Sequence, residues 1–147
     1  MIQRVQTLFL MVVVAVSVCL VLFPFVSYAN LFNRFTVGSF SGHWSTTFHY
    51  LAGGLNYIIM ALSLLCIVLF RNRMFQFKLA NIIALLSLAL LGILLFADLI
   101  KVEEFLSGDK QILWPSYLPA ISVICAFLAG RFIKKDEDLV RSADRIR

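Results

Sequence analysis

The chain has 147 residues, room for one domain, of which 61% are hydrophobic and only 14% charged, where a water-soluble domain keeps about a quarter of its residues charged. A mean hydropathy of +0.93 argues against water as its main solvent. The net charge of +5 does not make a nucleic-acid surface, because the basic residues flank apolar runs instead of interleaving with aromatics on one face.

The first apolar run, Thr7 to Tyr28, carries no charge and at ~1.5 Å per residue is long enough to cross a hydrocarbon layer of ~30 Å. A secretory signal is the alternative, with Arg4 as its basic start and Ser27-Tyr28-Ala29 as a cleavage site. The run outlasts the apolar centre of such signals, so a retained helix is the expectation. Cys19 lies inside this run without the small preceding residue of a lipoprotein site. Cys66 and Cys125 fall in other runs without paired spacing, and all three read as buried free thiols.

His43 and His49 follow, among Phe40, Trp44, Phe48 and Tyr50. Their separation is not a helical ligand spacing and no third ligand accompanies them, so an aromatic belt at headgroup level is expected rather than a metal or haem site. The second run, Leu51 to Phe70, ends at Arg71-Asn72-Arg73, and the third, Leu79 to Ile100, is the richest in leucine. Its Leu, Ile and Phe side chains outweigh Asn81 and Asp98 near its two ends. Asp98 lies about one turn from Lys101, an interfacial placement, while Asn56 and Asn81 are expected to hydrogen-bond between helices. Glu103 and Glu104 are adjacent and do not oppose each other as hydrolase carboxylates do.

The fourth run, Tyr117 to Ile133, contains Pro119, Gly130 and Arg131 and depends on packing against its neighbours. Ser122, Ala126 and Gly130 recur every fourth residue, a face on which another backbone can approach closely. If this helix continues through residues 134–147, Leu139, Val140, Ala143 and Ile146 share one side of it.

Lys and Arg counts in the connections set the orientation. Ten lie at the N-terminus, in the second connection and in the C-terminal segment from Arg131 onward; Arg34, Lys101 and Lys110 lie in the other two loops. The expectation is an all-α membrane protein, an antiparallel four-transmembrane-helix bundle forming one domain over 1–147, with both termini cytoplasmic and a short helical C-terminal extension.

The opening MIQRVQT, the RNRMFQFKL segment after the second run and the closing IKKDEDLVRSADRIR resemble the domain of unknown function 4293 family of small bacterial membrane proteins. That resemblance implies a four-helix protein of the bacterial cytoplasmic (inner) membrane and carries no activity, cofactor or catalytic residue. No nucleophile motif or phosphate-binding loop is present, so no enzyme is expected. The expected role is an accessory or scaffold subunit that binds a membrane or cytoplasmic protein through its cytoplasmic ends. Arg4, Lys134, Lys135, Leu139, Val140, Arg141, Ala143, Arg145 and Ile146 are its candidate contacts with that partner or with membrane lipids. A small-molecule or ion transporter or channel component is the alternative, which a polar cavity converging on Asn56, Asn81 and Asp98 would favour.

Overall fold

The computed structural model describes residues 2–23, 26–28, 34–35, 47–69, 73–99, 110–112 and 114–144. Four helices dominate: α1 (Ile2–Leu22), α2 (Thr47–Val68), α3 (Arg73–Leu99) and α4 (Leu118–Asp144). Each is long and apolar enough to cross a membrane. Three short strands, β1 (Val26–Tyr28), β2 (Arg34–Phe35) and β3 (Lys110–Ile112), add a sheet that the all-α reading did not contain.

The helix ends have local causes. Phe23 N–H closes the last turn of α1 on the Cys19 carbonyl at 2.8 Å, and Pro24 then disfavours helical geometry for the residue before it. The first run therefore stops at Leu22, and its expected final residues, 26–28, form β1 instead. Leu69 N–H caps α2 on the Leu65 carbonyl at 2.9 Å, and the short link to Arg73 makes α2 and α3 antiparallel neighbours. α3 starts six residues before the expected Leu79. A 3₁₀ turn, Trp114–Tyr117, leads into α4, whose Pro119 sits in the first turn, where a missing N–H costs nothing. Gly130 interrupts nothing: α4 runs unbroken to Asp144, well beyond the Ile133 at which the apolar run ends.

The helices form a ring in which α1 and α3 each pack between α2 and α4. Buried positions recur at alternating steps of four and three: Gln6, Leu10, Val13, Ser17 and Leu20 in α1; Ala52, Asn56, Ile59, Ser63 and Cys66 in α2. In α3 they are Gln76, Ala80, Ile83, Ser87, Leu90 and Leu94, and in α4 Pro119, Ser122, Ala126, Ala129 and Ile133. This seven-residue repeat is the inward seam of a left-handed bundle.

The outward faces are as apolar as the core, with Leu85 66%, Leu8 63% and Ile124 60% exposed. The interior meanwhile holds Gln6, Ser17, Asn56, Ser63, Gln76, Ser87 and Ser122. Such a distribution is poorly suited to water and well suited to a hydrocarbon surround. At one end of the bundle β1 pairs antiparallel with β2 and with β3, in the order β2-β1-β3. Phe23 packs on Trp114 at 5.6 Å beside this sheet end. The start of α1, the end of α2, the start of α3 and the end of α4 lie at the opposite, basal end.

Candidate functional site

Four contacts between ring neighbours set the axial register: Asn56 with Ser17, Cys66 with Gln76, Gly130 with Ala80, and Phe9 with Phe132. The Asn56 amide donates to the Ser17 carbonyl at 3.1 Å, tying α2 to α1. Gln76 Nε2 donates to the Cys66 carbonyl at 3.2 Å, and the Cys66 thiol returns a 3.7 Å contact to the Gln76 carbonyl. The Cys66 carbonyl is in the last turn of α2, where carbonyls lack helical partners, so the Gln76 side chain caps that helix from the next one. Phe9 stacks on Phe132 with ring centroids 5.7 Å apart, tying α1 to α4.

These pairs agree around the whole ring. Ser17, Asn56, Ser87 and Ser122 consequently fall within about one helical turn of each other along the axis, so every helix contributes one buried polar side chain to a single layer. Ser87 Oγ donates to the Ile83 carbonyl of its own helix at 2.8 Å. Asn56 Oδ1 and, nearer the basal end, Gln6 Nε2 are buried and have no hydrogen-bond partner among the described residues.

Ser122, Ala126 and Gly130 are all buried. A Cβ at Gly130 would come within 3.2 Å of Asn81 Oδ1 and 3.8 Å of the Ala80 Cβ, so glycine here lets α3 and α4 approach closely. Asn81 thus meets α4, and Asn56 meets α1. Asp98 and His49 lie in helices but their side chains are outside the described set, as are His43, Glu103 and Glu104 altogether. Convergence of Asp98 with the two asparagines therefore has no described geometry. Among the described residues no three His, Cys, Asp or Glu side chains gather as a metal site, and the three cysteines are free.

At the basal end Lys134 and Lys135 are exposed, and Leu139 and Val140 leave 50% and 41% of their surface uncovered. By the same register Leu139 is level with the start of α1, so the last turn of α4 extends past the described ends of its neighbours. Ser142 Oγ bonds back to the Leu139 carbonyl at 2.8 Å within this turn, while Asp136 and Glu137 are half-buried and engaged. Arg4, Arg141 and Ala143 lie in helices, but their side chains are outside the described set; Arg145 and Ile146 lie beyond the described residues.

Sequence reasoning singled out Asn56 and Asn81 but not Gln6, Gln76, Ser17, Ser63 or Ser87. Their signal was present as polar residues spaced by whole steps of the inward seam in or beside the apolar runs, Asn56 and Ser63 seven apart, Gln6 and Ser17 and likewise Gln76 and Ser87 eleven apart, a pattern that total hydropathy averages away. Neither the curated proteins nor the solved structures contain a match to this chain. The family model for the domain of unknown function DUF4293 matches residues 2–146, essentially the whole chain, and the protein belongs to that family.

Proposed function

We propose that this is a non-enzymatic accessory or scaffold protein of the bacterial cytoplasmic membrane, with both termini in the cytoplasm, that holds a protein partner through its basal end. The observation that carries the reading is the end of α4, which presents Leu139 and Val140 half-exposed beside Lys134 and Lys135. Exposed apolar side chains next to charge supply desolvation at the centre of a contact and steering at its rim. Ten of the thirteen Lys and Arg residues belong to the sequence segments that lead to or from this end, which supports its cytoplasmic placement.

The test is a photo-crosslinking side chain placed in living cells at Leu139 or Val140, and in parallel at the outward-facing Leu85 and Ile124. One protein adduct of defined size at the first pair, absent at the second and lost on adding Leu139→Ser, is the expected result. Lipid adducts alone at all four positions would instead make the tail a solvated helix end resting on headgroups. The polar layer around Asn56 favours a second reading, movement of an ion or small polar molecule through the ring. Asn56→Leu that abolishes a solute flux in proteoliposomes would establish that reading over the first.

A further inference from the structure

We propose that the outer seam between α3 and α4 at the basal end is a binding site for the phosphate of one anionic phospholipid, formed by Lys78, Arg131 and Lys134 with Asn81 as a neutral donor. The inference rests on the membrane placement proposed above. Gly130 sets the geometry: it lies against Phe77, Ala80 and Asn81, so Lys78 on α3 and Arg131 on α4 are each one residue from this closest approach. Lys134 is one turn further along α4. All three cations are exposed and fall within about one turn of each other along the axis.

Two observations show that this is more than the usual basic fringe of a membrane helix. First, Arg131 lies before the end of the apolar run at Ile133, and Lys78 directly precedes the run that starts at Leu79. The Arg131 guanidinium lies 5.2 Å from the centre of the Phe127 ring, one turn deeper into the span, instead of reaching out towards the basal end. Second, Asp136 and Glu137 are half-buried and engaged, whereas the three cations are exposed. The nearest acid on the exposed side of α4, Asp138, is one turn beyond Lys134 towards water.

Positive charge exposed on a surface bathed in hydrocarbon calls for an anion, and the one that a bilayer supplies at this depth is a lipid phosphate drawn inward. Arg131 offers a planar fork of donors for phosphate oxygens and Lys78 a point charge beside it. The Asn81 amide group, whose oxygen faces Gly130, adds N–H donors at the level of the glycerol esters. The acyl chains then lie along the apolar faces of Phe127, Ile124 and Leu85, which are already exposed.

The experiment is native mass spectrometry of the full chain in neutral detergent, titrated with phosphatidylglycerol or with zwitterionic phosphatidylethanolamine. One retained phosphatidylglycerol is expected, with at least tenfold preference over phosphatidylethanolamine. That preference should fall about tenfold in Lys78→Gln/Arg131→Gln and stay unchanged in Arg34→Gln/Lys110→Gln, which removes the same charge at the sheet end. Equal loss in both double variants, or equal retention of both lipids, would overturn the site, leaving only net-charge attraction or none. Carbonate-washed membranes separate this outcome from failure of the membrane reading, since a chain that does not sediment with them was never in the bilayer.

Discussion

Gly130 and Asn56 do opposite things with the space they occupy, and each makes a prediction. At Gly130 and Ala126 the seam is closed by the absence of side chain, so Gly130→Leu and Ala126→Leu should each cost about 1–3 kcal/mol by overpacking. Ile124→Leu, on an exposed face, should be within ~0.5 kcal/mol of the parent. Thermal melts in detergent read the difference, and equal melting of all three variants would mean that α3 and α4 do not meet at this face. Asn56 gains one hydrogen bond to Ser17 and carries one buried oxygen with no bond among the described residues. Asn56→Leu removes both the gain and the penalty and should be nearly neutral, within about 1 kcal/mol. Asn56→Asp leaves a buried carboxyl in place of the amide donor and should be the more damaging change. A larger loss for leucine than for aspartate would show that the Asn56–Ser17 bond outweighs the unsatisfied oxygen.

Among the elements, the four helices were legible because a charge-free run of about twenty residues has few other readings. Their ends were less so, for distinct reasons. Pro24 ended α1 earlier than hydropathy did, since Val26 and Tyr28 are apolar enough to extend a span but are used as a strand. The charged residues from Lys134 to Asp138 ended the apolar run in α4 but not its helix, because Lys, Glu and Arg are good helix formers and Glu137 precedes Arg141 by four residues. The sheet was not legible at all: strands of two or three residues carry too little alternation to be seen, and β1 and β3 are more than eighty residues apart. Of the candidate site, the small-residue face and the tail were visible as spacing. The Gln76 cap and the polar layer required the helices to be set side by side. The α1–α4 register is checked by Phe9→Cys/Phe132→Cys in a background without native cysteines, which should crosslink under mild oxidation, whereas Phe9→Cys with Ile121→Cys, about three turns away, should not. A crosslink of the second pair alone would shift α4 against α1 and dissolve the common level of Ser17, Asn56, Ser87 and Ser122.

For the whole molecule, the proposed orientation makes an all-or-none prediction. In intact spheroplasts a membrane-impermeant thiol reagent should label a cysteine placed at Ser41 or Gly108 and leave one at Ser142 unlabelled until the membrane is opened, each in a chain without its native cysteines. Labelling of Ser142 from outside would invert the molecule. The sheet bears on how that orientation is secured. β1 and β2 belong to the link between α1 and α2, and β3 to the link between α3 and α4, so the two helical hairpins can enter the bilayer independently but share one ladder only if both have delivered their loops to the same side. A molecule with one hairpin inserted upside down would hold β1 and β3 apart across the full thickness of the lipid, leaving β1 with an open edge of unpaired amides and carbonyls. The pairing of Val26 with Ile112 and Tyr28 with Lys110 therefore reports on assembly: under the proposed orientation it forms only when both hairpins have the same direction across the bilayer.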